Sequence, residues 1–514
     1  MAEERSQVDQ PASESDGAPK PAGDQACPPR PRIDQRSLTR ALGLGAIVGL
    51  IYCSVSGGPY GLEGVIGESG AGMGVLLIVL TPFIVGLPTA LVVAELGTAM
   101  PVEGGYYHWV KTGLGPFAGF LEGWWSWVVA WVDLAVYPVL FVAYAAYFFP
   151  DQLGDGASPF TRWILALVII WVFGLVNLRG TKLVGDSSKA FTYILIAPFL
   201  LLTAVGIVKL FAEGGSNPLE PFTNSGQGVG PAFGAGLWIV MWNYSGFDGI
   251  STVAEEIDNP QRNIPRSLAI SIPLMTVVYL IPVLVVLALL GTSEITWEEG
   301  AFTDMADAIG GAWLGWIVAA VALISAVALF SSWLLSYSRL PFALADDGYL
   351  PRSLTRIHPT WHTPWASIVL SCAICSVFAW SGFESLIVVD VVLTDAALLL
   401  EFLALVALRR RHPGVNRPYR IPGGWPVLVT VVVVPNLVFA VGLYYLVVEE
   451  GWVHGIGWSA IAMLTGVVAY PIAKRAKARN GRDRTWSVTD DVMVCSDGRH
   501  VGPDGVSGRL AEDF

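Results

Sequence analysis

Two stretches of this 514-residue chain place glycine, proline and polar side chains inside long apolar runs. The first reads Ser56-Gly57-Gly58-Pro59-Tyr60-Gly61, the second Trp242-Asn243-Tyr244-Ser245-Gly246-Phe247-Asp248-Gly249. Glycine and proline are poor helix formers. Each stretch is therefore expected to interrupt a helix and free peptide N–H and C=O groups, which at membrane depth must line a cavity or find partners in protein. The half-helix that restarts after Gly61 would turn N–H groups toward the first interruption, where they attract an anion such as a carboxylate. Carbonyls freed at the second would suit an ammonium. Pro59 removes one donor and shifts the balance toward amines. Glu63, Asp133 and Asp248 add carboxylates, which inside membrane segments usually face the bundle interior and mark function. The rings of Tyr60, Trp242, Tyr244 and Phe247 flank the interruptions, and a ring over an ammonium contributes about 0.5–2 kcal/mol. The candidate site is thus Ser56, Gly57, Gly58, Tyr60, Gly61, Glu63, Asp133, Trp242, Asn243, Tyr244, Gly246 and Asp248.

Each of these residues also has a plainer reading. The glycines suit packing notches or kinks. Asp133 suits a hydrogen bond between helices, and Asp248 a structural or gating one. Glu63 suits the first turn of a helix, where the dipole favours an acid. The matched positions of the two interruptions favour a site. Trp124, Trp125, Trp127 and Trp131 read as interfacial belt and packing. Proton coupling needs a titrating group within the membrane. Glu95, Asp390, Asp395 and Glu401 are the candidates, each equally able to serve structure.

The elements that position these residues follow from composition. Hydrophobic residues make up 54% of the chain and charged residues 14%, against about 25% charged in soluble domains. The apolar residues come in blocks of roughly 20, the length of a bilayer-spanning helix. The fold class predicted is an all-α integral membrane protein. Its twelve spans lie near 41–66, 72–98, 117–149, 160–178, 188–211, 231–254, 268–290, 312–342, 365–381, 385–408, 425–447 and 453–473. With both termini in the cytosol, all of the 30 Lys and Arg residues except Arg162 and Lys209 fall on the cytosolic side, as the positive-inside rule requires. The outer loops are acidic. Residues 1–36, polar and proline-rich, read as a disordered cytosolic tail, and 475–514 as a second cytosolic tail. The localisation expected is the cell membrane, multi-pass. The interrupted spans are the first and the sixth, an odd five places apart, so these two run in opposite directions, the arrangement of an inverted repeat. The repeats predicted are 41–211 and 231–408, followed by peripheral helices at 425–473.

Other classes find little support. No HExxH, GxSxG or Walker loop is present, so an enzyme is not expected. Gly113-Leu114-Gly115 with Gly119 follows no strand and reads as the start of the third span. His358 and His362 read as ordinary loop residues rather than metal ligands. Cysteines 27, 53, 372, 375 and 495 suggest no disulfide framework, and Cys372 and Cys375 read as helix packing. No metal, cofactor or nucleic acid is expected. The partners expected are a small solute, the lipid bilayer and, as one driving ion, the proton.

The two interruptions, the stretch Ala94-Glu95-Leu96-Gly97-Thr98-Ala99-Met100-Pro101-Val102-Glu103-Gly104-Gly105-Tyr106, and Gly246-Phe247-Asp248 followed by Asn259-Pro260-Gln261-Arg262-Asn263-Ile264-Pro265 resemble the amino acid–polyamine–organocation superfamily. The resemblance runs from about Arg40 to Ala473. Ser56–Gly61, Val132–Phe141 and Arg417-Pro418-Tyr419-Arg420-Ile421-Pro422 are similar to its polyamine and cationic amino acid uptake branch. The resemblance implies a leucine-transporter-like 5+5 inverted repeat plus two peripheral helices, with a site built from helices 1, 3, 6, 8 and 10. It implies that Trp242 covers bound substrate and that Asp248 matches a widespread acidic position. Some relatives carry a lysine midway along helix 5; this chain has Ala197-Pro198 there. Relatives linked to a heavy chain use a cysteine between helices 3 and 4, and Asp151–Arg162 has none, so no disulfide-linked heavy chain is expected. The function implied is a secondary permease for amino acids or polyamines, preferring cations. An antiporter, or a substrate sensor on the same fold, is the alternative.

Overall fold

The computed structural model describes residues 41–480 apart from 57, 154–156, 294, 296, 299, 381–383 and 453–456, together with four strands between 486 and 509. The tail at 1–36 and Gly57 lie outside the described residues.

The helices in chain order are α1 (Leu44–Val55), α2 (Glu63–Ser69), α3 (Ala71–Ala99), α4 (Gly105–Leu114), α5 (Pro116–Phe148), α6 (Pro159–Leu178), α7 (Thr181–Glu213), α8 (Val229–Asn243), α9 (Pro260–Leu290), α10 (Ala301–Gly310), α11 (Ala312–Tyr337), α12 (Arg339–Asp346), α13 (Trp365–Phe378), α14 (Glu384–Arg411), α15 (Gly424–Trp452) and α16 (Trp458–Asn480). Starts and stops follow local chemistry. Pro116, Pro159 and Pro260 open α5, α6 and α9 at the first position, where the missing N–H costs nothing. A π turn, Pro82–Gly86, lies within α3.

Among the described residues eight stretches are long and apolar enough to cross a membrane: Ala71–Ala99, Pro116–Phe148, Pro159–Leu178, Thr181–Glu213, Pro260–Leu290, Ala312–Asp346, Asp390–Arg411 and Gly424–Tyr445. The other expected spans, around α1, α8, α13 and α16, do not meet that standard as single helices. Large apolar side chains on α7, α15 and α16 point outward: Leu200, Val208, Phe211, Leu437 and Ile472 are all exposed. A soluble surface would seldom gather so much apolar area, whereas a lipid-facing one requires it.

The chain unwinds at the two glycine-rich stretches. Helix α1 stops at Val55 and α2 starts at Glu63. Between them Gly58 and Gly61 take φ of 111° and 87°, a region open to glycine but strained for other residues. Helix α8 stops at Asn243, and after Gly246 the chain continues as 3₁₀ turns, Phe247–Thr252 and Ala254–Glu256. Helix α1 packs on α7 and α9, α11 on α5 and α7, and α14 on α5 and α4. The end of α1, the middle of α5, both unwound segments, α11 and α14 thereby enclose one space.

Buried ion pairs pin one end of this bundle. Arg339 lies 2.6 Å from Glu256 and 3.2 Å from Glu103, and donates to Thr181 at 3.2 Å. Leu42, just before α1, forms a parallel bridge with Ile257 just after the second unwound segment. Lys111 and Lys477 reach Asp347 at 2.6 and 3.0 Å, tying α16 to α4 and to the turn after α12. Removing one member of a buried pair leaves an uncompensated charge, so such ties hold elements in register.

The C-terminal region is more ordered than a plain tail. Helix α16 runs to Asn480, and Trp486–Thr489, Val492–Cys495, Arg499–Gly502 and Gly505–Arg509 form an antiparallel meander in sequential order. Alternating β-branched residues at Val488, Val492, Val494 and Val501 suit strands.

Candidate substrate site

The cavity encloses about 1070 Å³ of space between protein atoms, counted out to and including its opening to solvent. It is lined by three carboxylates, Asp133 of α5, Asp248 of the second unwound segment and Asp390 of α14. Seven rings join them: Tyr60, Tyr106, Tyr137, Tyr144, Trp242, Trp333 and Tyr337. Serines 54, 56, 126, 245 and 325, with Thr394 and Asn243, supply neutral polar groups. No lysine, arginine or histidine lines it among the described residues.

Asp133 and Asp390 are placed by their helices, Asp248 by the 3₁₀ turn Phe247–Thr252. Asp133 accepts a hydrogen bond from Tyr137 Oη at 2.9 Å, one turn later on α5. Trp333 and Tyr337 stack at 4.5 Å, one turn apart on α11, and present a double ring to the same space. Asp390 Oδ1 is buried without a hydrogen-bond partner.

The two unwound segments touch. Asn243 Nδ2 donates to Gly61 O at 3.4 Å and to Ile239 O at 2.9 Å, so one side chain joins the break after α1 to the break after α8. The carbonyl of Asn243 itself is taken by Tyr279 Oη at 3.0 Å. Gly246 takes φ of 105°, and a Cβ there would lie 2.6 Å from the Trp333 ring. Away from the ion-paired end, Tyr60 donates to Val318 O at 2.8 Å. Its ring meets Phe199 edge-on at 5.0 Å, and Phe199 meets Phe302 of α10 at 5.4 Å.

Of the residues singled out in the sequence, Ser56, Tyr60, Gly61, Asp133, Trp242, Asn243, Gly246 and Asp248 line this cavity. Gly58, Glu63 and Tyr244 do not. Glu63 is fully buried, accepting Gly61 N–H of its own segment at 2.6 Å and Phe302 N–H of α10 at 3.5 Å. Gly58 N–H is taken by Ser56 Oγ at 3.1 Å. The N–H groups expected to await a substrate carboxylate therefore include two already engaged within the protein. Tyr244 donates to Ile78 O at 3.2 Å and packs edge-on against Tyr279.

The four coupling candidates separate. Asp390 lines the cavity itself. Asp395 lines a smaller hollow with Val85, Thr89 and Asn436, and its Oδ2 has no hydrogen-bond partner. Glu401 is buried deeper along α14. Glu95 is held by Arg409, with Arg417 at 3.4 Å, so its charge is compensated by α14 and the loop after it. The lining residues that sequence reading missed are chiefly Tyr106, Tyr137, Trp333 and Tyr337. The pairs Asp133/Tyr137 and Trp333/Tyr337 sit four apart on their helices, a spacing that places side chains on one face. That spacing is the signal that could have found them.

A membrane-embedded helical bundle closed around a polar, acidic hollow is the architecture of a solute permease. The chain belongs to the amino acid permease family, whose pattern matches residues 41–470. It is 30% identical over 457 residues to the polyamine transporter RMV1 of Arabidopsis thaliana, covering 89% of each chain. It is 32% identical to the polyamine transporter PUT1 of Oryza sativa subsp. japonica, covering 89% of this chain and 82% of that one. The serine/threonine exchanger SteT of Bacillus subtilis is 25% identical over 66% of this chain and 76% of its own.

Proposed function

We propose that this permease carries small organic polycations, polyamines before amino acids, by alternating exposure of the cavity to the two sides of the membrane. One observation carries the reading: among the described residues, three carboxylates and seven rings line the cavity with no basic side chain. A carboxylate buried without a counter-ion is costly, and an ammonium supplies that counter-ion while the rings add cation–π attraction. Asp133, Asp248 and Asp390 can meet up to three amines. An α-amino acid would need in addition a donor set for its carboxylate, and Gly61 N–H and Gly58 N–H are engaged by Glu63 and Ser56. The polyamine transporters among its relatives accord with this chemistry.

On this reading α1/α2 and α8 with its 3₁₀ continuation are the interrupted first and sixth of twelve spans in a 5+5 inverted repeat. Both termini are cytosolic, and the Arg339 end faces the cytosol. A cation enters a cell with the help of the membrane potential, about 2.3 kcal/mol per charge per 100 mV, so accumulation does not demand a second ion. Exchange is the second reading, favoured by the likeness to an exchanger.

The test is uptake into proteoliposomes of labelled spermidine, putrescine, arginine and a neutral amino acid. We expect spermidine to accumulate when the interior is negative, arginine less, and the neutral amino acid least. Uptake only against a preloaded amine would select exchange. Binding with no movement of any of the four would select a sensor and sink the permease reading.

A further inference from the structure

A second hollow lies apart from the main cavity, where four helices meet. Thr89 faces it from α3, Met241 from α8, Asp395 from α14 and Asn436 from α15. It encloses about 270 Å³, counted out to and including its opening, roughly a quarter of the main cavity. The rest of its wall is apolar. Asp395 Oδ2 is buried without a hydrogen-bond partner, and no lysine, arginine or histidine lines the hollow among the described residues. A buried polar atom left unpaired asks for a partner that the protein atoms around it do not supply.

Two helix irregularities border the same hollow. Val85 belongs to the π turn Pro82–Gly86 of α3, and Pro435 sits inside α15, where it has no N–H to give to the preceding turn. Turns of the π kind inside α-helices recur at functional sites. The neutral polar neighbours direct donors to their own helices. Thr89 Oγ1 donates to Val85 O at 3.0 Å, and Asn436 Nδ2 to Val432 O at 2.6 Å. Each keeps an acceptor, the threonine hydroxyl oxygen and the asparagine Oδ1. With Asp395 Oδ2 they make three oxygen acceptors on the wall of one small space. Carboxylate, hydroxyl and carbonyl oxygens suit hard cations. A lone carboxylate balances a single positive charge, and a divalent ion would leave its surplus against an apolar wall. An organic ammonium would have to bring its carbon chain into a quarter of the room that the main cavity offers. Among the described residues no three His, Cys, Asp or Glu side chains converge as a transition metal would require.

We propose that this hollow binds one alkali-metal cation of sodium's size, held by Asp395 Oδ2, Thr89 Oγ1 and Asn436 Oδ1. The ion neutralises Asp395 and ties α3, α14 and α15 together beside Met241, two residues before α8 ends at Asn243. Helix α14 also presents Asp390 to the main cavity, so the ion steadies from behind the helix that offers a carboxylate to the solute. The inference does not depend on which solute the main cavity takes.

The experiment uses the full chain in detergent, with sodium chloride replacing choline chloride at fixed pH and ionic strength. We expect the midpoint of thermal unfolding to rise along a saturating curve as sodium replaces choline. Asp395→Asn should raise the half-saturating sodium concentration roughly 10- to 100-fold, the loss expected for a charged ligand, and Thr89→Val about fivefold. Spermidine affinity should stay the same in Asp395→Asn, because Asp395 does not line the main cavity. Equal midpoints in sodium and choline overturn the inference, and so does an unchanged sodium response in Asp395→Asn. A midpoint that follows pH and ignores sodium overturns it too, and assigns Asp395 a proton. Should Asp395→Asn fail to fold, equilibrium binding of radioactive sodium to the unaltered protein and to Thr89→Val decides: no saturable binding, or the same affinity in both, overturns the inference. Failure of spermidine to bind would overturn the cation-carrier reading and leave the sodium result standing.

Discussion

Tyr137 Oη donates to Asp133 Oδ1 across 2.9 Å, one turn along the same helix, and both side chains face the cavity. The tyrosine fixes the carboxylate's rotamer, and Tyr337 of α11 acts on the same carboxylate, so the acid is oriented within the cavity. An oriented charge loses less freedom on binding than a mobile one.

Asp133→Asn removes the charge and keeps the shape. A hydrogen bond to a charged group contributes about 1.5–3 kcal/mol, so spermidine affinity should fall roughly 10- to 100-fold. Affinity for a neutral amino acid should change less. Tyr137→Phe should cost spermidine only about fivefold, since it removes the positioning bond, about 1 kcal/mol, and keeps the charge. Isothermal titration of both variants checks this; equal losses for charged and neutral solutes would make Asp133 structural.

Glu63→Gln tests the internal cap on the first unwound segment. Glutamine replaces a charged acceptor of the Gly61 and Phe302 N–H groups by a neutral one. Charge-assisted bonds are roughly twice as strong as neutral ones, so stability should fall by about 1–2 kcal/mol, read as a lower midpoint of thermal unfolding. Spermidine affinity should change little, because Glu63 does not line the cavity. A large selective loss of spermidine binding at unchanged stability would return Glu63 to the site.

Arg339→Met leaves Glu103 and Glu256 buried without their shared cation. Loss of one partner of a buried pair costs about 3–5 kcal/mol. The triple change Arg339→Met with Glu103→Gln and Glu256→Gln should recover a substantial part of that. Thermal unfolding measures both. Cysteine labelling at Val253, behind this cluster, should also be faster in Arg339→Met; an unchanged rate would show that the cluster does not seal that end.

Much of this was legible in the chain. Glycine and proline at 56–61 and the glycines of 242–249 announce backbone that cannot stay helical, whatever packs around it. Asp133 and Asp248 drew notice because a carboxylate in an apolar run has few reasons to be there. What stayed hidden depends on distant partners. Glu95 resembles a free membrane acid until Arg409, far along the chain, folds against it. Asp390 and Asp395 are five residues apart on one helix, yet only the packing of α5 and the unwound segments puts Asp390 into the main cavity and Asp395 into another. For Glu63 two outcomes, facing a solute or folding back on Gly61, share one local sequence, and only the folded chain shows its contact with Gly61 N–H. The strands after Asn480 were obscured by the polar, turn-rich composition around them.

The column of rings Tyr60, Phe199 and Phe302 gives the two exits unequal doors. On that side hydrogen bonds from Tyr60 to Val318 and from Phe302 N–H to Glu63, with a few edge contacts, join the elements around the passage. Each neutral contact among them is worth about 0.5–1.5 kcal/mol, and aromatic side chains swing apart without stranding a charge. On the Arg339 side, opening must separate a buried guanidinium from two carboxylates. On the proposed reading of the cavity as a cation carrier's site, the ring-lined door is the readier to move in the vacant protein, and the ion-paired one asks for a larger change in the balance of charge behind it.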